Sequence, residues 1–153
     1  MGSESKVLVQ NRELSNLYED IAEDILNNLV FDSSNVDYVN QLLFVSMMEN
    51  AISYLADDVF DSFNKSETEI SNLNSIHKWI SLKQFKFLEN LIEQEFKDDG
   101  LFYLIKDAKS KLFKEVEVNL ILSNKENSLK KFNLILNKYK SFKDLLRKVL
   151  DEC

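Results

Sequence analysis

The chain of 153 residues carries a net charge of −7, is 44% apolar, and contains two glycines and no proline. Folds built from β-hairpins need such residues at their turns, so this composition argues against an all-β protein and favours helices. Residues 1–10 are expected to be a flexible N-terminus, and residues 11–153 a single all-α bundle of five or six helices.

The first predicted helix runs from about Arg12 to Val30, with Asn11 as its N-cap. Apolar residues recur along one side of it at steps of three and four, which is typical of a core-facing stripe. They are Leu14, Leu17, Ile21, Ile25 and Leu29. Carboxylates fall on the other side, at Glu19, Asp20, Glu23 and Asp24.

The bundle is expected to be organised around a long central apolar helix from Val36 to Phe63. At about 1.5 Å per residue this helix would be roughly 40 Å long, so other helices could pack along several of its sides. Its apolar residues cover most of the circumference, which is typical of a buried helix. The principal stripe is Val36, Val39, Leu43, Met47, Ile52, Leu55, Val59 and Phe63.

The remaining helices are predicted from caps and apolar spacing. Ser66 and Glu69 have the spacing of a capping box, and the helix that follows is expected to break near Ser75 or Ser81. Gly100 is the expected left-handed C-terminal cap. Beyond it, one helix is predicted over residues 101–122, and a second capping box at residues 123 and 126 precedes the last helix.

Charge is distributed unevenly along the sequence. From Glu13 to Asn64 there are eleven carboxylates and no Lys or Arg, whereas the chain from Lys65 onward has a net charge of +3. Several carboxylates form like-charge pairs at i and i+4, which destabilise a helix unless cations offset them. Three sources of such cations stay open: the chain's own C-terminal lysines, a basic partner surface, or a divalent metal ion.

The residues typical of catalysis or metal binding are scarce. His77 is the one histidine, Cys153 the one cysteine, and neither has the neighbours of a zinc site. Two isolated glycines exclude the glycine-rich loops that bind nucleotides. The sequence therefore predicts no enzymatic activity, no cofactor and no metal site. Nucleic acid is an unlikely partner, because the aromatic residues of the basic last helix have the spacing of a core.

Localisation is predicted from three features. A single cysteine suits a reducing compartment, no uncharged stretch is long enough to span a membrane, and the N-terminal sequence lacks the apolar run of a signal peptide. These features favour a cytoplasmic protein. A removed leader stays open as an alternative, since Met1-Gly2-Ser3 could equally be a cloning scar.

The sequence thus favours a non-enzymatic helical module that binds another protein with a basic surface. The predicted contact residues are carboxylates of the acidic half: Glu19, Glu23, Asp57, Asp58 and Asp61. One alternative is an acidic inhibitor or immunity-type protein that blocks a nucleic-acid-processing enzyme. Another is an enzyme that uses dispersed carboxylates and a metal ion. A homo-oligomer is compatible with each of them.

Overall fold

The computed structural model describes residues 10–63, 70–117 and 127–152, with the side chains of residues 114–117 outside the description. These residues form six helices and no strand, which confirms the predicted all-α bundle. The helices are α1 (Asn11–Asn27), α2 (Asn35–Phe63), α3 (Ser75–Leu82), α4 (Lys86–Phe96), α5 (Leu101–Glu117) and α6 (Leu129–Glu152).

Helix α2 is the centre of the bundle, as predicted, and it contacts α1, α3, α5 and α6. Its buried residues include Phe44, Met48, Ala51 and Leu55. Phe44 stacks on Phe132 of α6, with 4.7 Å between the ring centroids. Aromatic contact of this kind adds to the apolar burial that stabilises the core.

Three residues of the predicted core stripe lie instead on the surface. Val36, Val39 and Leu43 are 72%, 51% and 43% exposed, so their assignment to the core was wrong. Helix α1 flanks one side of α2, where the ring of Tyr18 stacks on Tyr54. Helix α5 flanks the other side, where the Tyr38 hydroxyl donates to the Leu112 carbonyl at 2.9 Å. The exposed fractions of Val36, Val39 and Leu43 show that the neighbouring helices leave this N-terminal part of α2 uncovered.

Helix α1 is rotated from the orientation that its apolar stripe predicted. Its buried residues are Ser15, Glu19, Ala22 and Leu26, whereas Leu17 is 51% exposed. The small side chains of Ser15 and Ala22 let α1 lie close to α2, and the Ser15 hydroxyl donates to the Ala51 carbonyl of α2 at 3.0 Å. Polar residues therefore occupy part of the buried face of this helix.

The ends of α1 also differ from the prediction. Gln10 occupies the N-cap position and makes no side-chain cap, while Asn11 is already helical and its amide donates to Asp61 at 2.8 Å. At its C-terminus α1 stops at Asn27 rather than at Val30. The connection to α2 is closed by the Asp37 carboxylate, which accepts the two backbone N–H groups of residues 30 and 31 at 2.8 and 3.0 Å.

The predicted break is found near Ser81, since α3 ends at Leu82 and α4 begins at Lys86. Residues 70–74 are not helical, so the expectation that a helix runs through Ile70 and Leu73 was wrong and α3 begins only at Ser75. Asn74 caps α3, because its Oδ1 accepts the His77 backbone N–H at 2.9 Å. The two predicted capping boxes, at residues 66 and 69 and at 123 and 126, lie outside the described residues.

Gly100 is not the left-handed cap that the sequence predicted. The positive φ, 65°, belongs to the preceding Asp99. Gly100 is required by close packing instead, because a Cβ atom there would lie 2.5 Å from the Glu95 carbonyl oxygen. The turn is held by the Glu95 carboxylate, which accepts the Leu101 backbone N–H at 2.9 Å. The absence of a side chain at Gly100 thus lets α4 and α5 meet.

Candidate functional site

Two of the predicted contact carboxylates join α1 to α6. Glu19 is buried and pairs with Lys143, and Glu23 Oε1 lies 2.7 Å from Lys140 Nζ. The hydrogen bond to Glu23 raises the pKa of Lys140, with the negative charges of α1 adding to the effect. Both carboxylates are therefore engaged by lysines of the chain itself.

A third predicted contact residue, Asp57, is buried where α2 meets α3. Its Oδ2 lies 2.8 Å from Lys78 Nζ, and the same ammonium donates to the Ser53 hydroxyl at 2.8 Å. The Oδ1 atom is buried and has no hydrogen-bond partner among the described residues. Burial raises the pKa of Asp57, and the hydrogen bond from Lys78 only partly opposes this.

The last two predicted contact residues lie nearer the surface at the C-terminal end of α2. Asp58 Oδ2 is 3.4 Å from Arg12 Nε, and Asp61 is exposed and accepts the Asn11 amide. The structure thus gives each of the five carboxylates a partner within the chain. It distributes them over several contacts between helices and does not gather them into one cluster.

The structure shows an exposed apolar surface on α2 that the sequence did not predict. Val36, Val39 and Leu43 stand at i, i+3 and i+7, so they share one face of α2, and we call them the α2 stripe. An apolar helix gives no sequence signal for which of its sides is covered, because that depends on where its neighbours pack. Only the exposed fractions of these side chains identify the stripe.

Exposed carboxylates line the outer side of the neighbouring helix α1. Glu13, Asp20 and Asp24 recur at steps of seven and four, so they share a face, which we call the acidic α1 face. All three are exposed and make no ion pair with a described residue. Leu17, on the same side of α1, is half exposed. Helix α1, which packs against α2, thus presents carboxylates that form no ion pair with a described residue.

A second feature is a half-open cavity of about 510 Å³ bordered by α2, the N-terminal end of α3, the end of α4 and α5. Its lining combines apolar and charged side chains. They are Glu49, Ile52, Asn74, Ser75, Ile76, His77, Phe96, Phe102, Tyr103, Ile105, Lys106 and Lys109. His77, to which the sequence assigned no catalytic or metal-binding role, lies on the rim of the cavity. Its Nδ1 atom forms a hydrogen bond with the Asn74 side chain at 2.8 Å.

The part of the chain that the structure describes holds neither a candidate metal site nor a candidate membrane span. No group of three His, Cys, Asp or Glu side chains there is arranged to hold a metal ion. None of the six helices combines the length and apolar character needed to cross a bilayer.

Comparison of the chain with protein-family models, with curated proteins and with solved structures found no significant match. Functional inference therefore rests on the α2 stripe, the acidic α1 face and the cavity.

Proposed function

We propose that the chain is a non-enzymatic protein-interaction module that binds a basic, amphipathic segment of another protein on the α2 stripe. The observation that carries this proposal is the exposure of Val36, Val39 and Leu43, at 72%, 51% and 43%, on a helix that is otherwise the buried centre of the bundle. Isolated apolar residues on a surface are ordinary, whereas adjacent ones on one face favour a docking site.

The spacing of the stripe suits a helical partner. Residues at i, i+3 and i+7 are the positions through which two helices meet when one lies along the other. Helix α1 packs along α2, and its half-exposed Leu17 adds an apolar side chain on the acidic α1 face, at the level where Tyr18 stacks on Tyr54. A partner helix laid along α2 would thus bury its own apolar side chains against the stripe and place its flanking residues over α1.

Charge complementarity indicates the chemistry of that partner. The segment from Glu13 to Asn64 has no Lys or Arg, and Glu13, Asp20 and Asp24 are free of ion pairs with described residues. A partner that extends from the stripe along α1 would bring its lysines or arginines to these carboxylates. Such charge complementarity speeds the association of the two proteins, and its effect weakens as the salt concentration increases.

A second copy of this chain is a poorer occupant. Symmetric pairing through the α2 stripe would bring two acidic α1–α2 surfaces together, and their like charges would repel. Among the five carboxylates predicted as contacts, Glu19 and Asp57 are buried against the chain's own lysines. We therefore assign the partner contacts to the acidic α1 face and to the exposed Asp61.

Site-specific photo-crosslinking tests this proposal. The photoreactive amino acid p-benzoylphenylalanine would replace Val39 in the stripe or, as a matched control, Leu134 of α6, which is 42% exposed. Each protein would be irradiated in a lysate of the source organism at low and at high salt. The crosslinked peptide would then be sequenced by mass spectrometry.

The expected adduct forms at Val39 and not at Leu134, and its yield falls as salt increases. Its peptide carries apolar residues at helical spacing with lysine or arginine beside them. The proposal is overturned by equal adducts at both positions, by no adduct, by an acidic peptide, or by an adduct that joins two copies of this chain.

A further inference from the structure

We propose that the cavity between α2, α3 and α5 binds a small organic anion with an apolar body, a role separate from protein binding. At about 510 Å³ the cavity lies within the range of small-molecule sites in proteins, roughly 300–1,000 Å³. None of its lining residues belongs to the α2 stripe or to the acidic α1 face.

The floor of the cavity is apolar. Ile52, Phe102 and Ile105 line it and are nearly fully buried, at 2%, 2% and 6% exposed. Phe96 at the end of α4 adds a second ring, whose centroid lies 4.7 Å from that of Phe102. A ligand body of aromatic or aliphatic carbon would replace water against these side chains, which favours binding.

The rim of the cavity is mainly basic. Lys106 and Lys109 stand three residues apart on α5, and His77 approaches from the first turn of α3. Lys106 is exposed and makes no ion pair with a described residue, so its ammonium is available to a ligand. An acidic group on the ligand would reach these cations while its apolar part occupies the floor. A carboxylate and a phosphate share this chemistry, and the experiment below separates them.

Glu49 opposes the binding of an anion. Its carboxylate oxygens lie 3.3 and 3.2 Å from Lys109 Nζ at the rim. An incoming anion would compete with Glu49 for that lysine and would be repelled by its charge. Neutralising Glu49 should therefore tighten binding, a response opposite in sign to the loss of the lysines.

Binding would be measured by calorimetry with three probes: 1-naphthoate, 1-naphthyl phosphate and uncharged 1-naphthalenemethanol. Trp79 reports the location, because its indole N–H donates to the carbonyl of Ile52 at 3.1 Å and its ring lies 5.6 Å from that of Phe102, and both residues line the cavity. The indole N–H signal in an NMR titration should shift as the cavity fills. It is the only tryptophan in the chain, so the signal needs no assignment.

We expect at least one anionic probe to bind about threefold more tightly than the neutral probe, mainly from Lys106 at roughly 0.2–1 kcal/mol, because Glu49 already engages Lys109. The preference between naphthoate and naphthyl phosphate identifies the acidic group. Lys106→Gln with Lys109→Gln should abolish the preference for the anion, and Glu49→Gln should strengthen anion binding about threefold. The control pair Lys130→Gln and Lys148→Gln, which removes the same charge from exposed positions of α6, should leave binding unchanged.

Four results would overturn the inference: no binding of either anion, equal affinity for the neutral probe, a Trp79 signal that does not move, or equal losses in the control pair. None of them bears on the α2 stripe, so the two proposals fail separately.

Discussion

Replacing Lys78 by methionine probes the buried ion pair between α2 and α3. The side chains of Lys78 and Asp57 are 4% and 9% exposed, and the Lys78 ammonium makes the one hydrogen bond found for the Asp57 carboxylate among the described residues. Methionine keeps the length of the side chain and removes the charge. The carboxylate would then be buried without a partner, which costs about 3–5 kcal/mol of unfolding free energy.

The pH dependence of this loss has a definite sign. Burial already raises the pKa of Asp57 above its ordinary 3.8, and removal of Lys78 removes the interaction that opposes this rise. A carboxyl whose folded pKa is raised destabilises the folded state at pH values above that pKa, where it is ionised. As the pH falls toward about 4, Asp57 is protonated in the folded protein before it is protonated in the unfolded protein. The loss of unfolding free energy caused by Lys78→Met should therefore become smaller.

Urea denaturation followed by Trp79 fluorescence and circular dichroism would measure these free energies. The double variant Lys78→Met with Asp57→Leu should recover most of the loss, because an apolar pair can replace a buried ion pair at little cost. Lys83→Met is the matched control, since Lys83 pairs with the half-exposed Glu93 and should lose less than about 1 kcal/mol. A loss below about 1 kcal/mol for Lys78→Met, or a deficit that grows on acidification, would refute the reasoning.

Two further predictions concern buried polar groups. The Tyr139 hydroxyl lies 2.5 Å from Ser15 Oγ. Tyr139→Phe should cost about 1 kcal/mol of unfolding free energy in urea, because Ser15 keeps its hydrogen bond to the Ala51 carbonyl. A loss above about 3 kcal/mol would contradict this. Burial opposes ionisation of Asp37, but hydrogen bonds from Gln41 and two backbone amides outweigh it and lower the pKa of Asp37. The stability that this carboxylate contributes is present above pH 3.8 and lost as the pH falls through its lowered folded pKa. The gap in unfolding free energy between the wild type and Asp37→Asn should therefore narrow on acidification, and a constant gap would count against the assigned role.

The sequence predicts the helices well because their signals are local. Apolar periodicity located α2 to within one residue of its N-terminus, and the break predicted near Ser81 lies one residue from the end of α3. These features depend on neighbours within a few positions of the chain, so no knowledge of the tertiary packing was needed.

The sequence predictions failed where tertiary packing determines which side chains are buried. Of the predicted α1 stripe, Ile25 and Leu29 do pack in the core, but Leu17 is exposed. The close approach of α1 to α2 selected Ser15 and Ala22 instead, and Lys143 made burial of Glu19 possible. Gly100 was assigned a left-handed conformation, but its role depends on a carbonyl of the preceding helix. Periodicity contains no information about either contact.

The candidate surfaces were likewise only partly predictable from the sequence. The excess of carboxylates from Glu13 to Asn64 is visible in the sequence, but which of them the chain's own lysines engage is not. The α2 stripe could not be distinguished from the core, because Val36 and Val39 continue the same apolar helix as the buried Phe44. The cavity gathers residues from four helices, and no spacing along the chain relates them.

The most direct test of the account is the affinity of the crosslinked partner segment, as a synthetic peptide, for two matched variants. One carries Val36→Ser and Val39→Ser, and the control carries Leu134→Ser and Leu145→Ser at exposed positions of α6. We predict that the stripe variant binds at least about tenfold more weakly, which corresponds to about 1.4 kcal/mol, and that the control binds like the wild type. Equal affinity of the wild type and the stripe variant, with both proteins folded, would contradict the assignment of the α2 stripe as the binding surface.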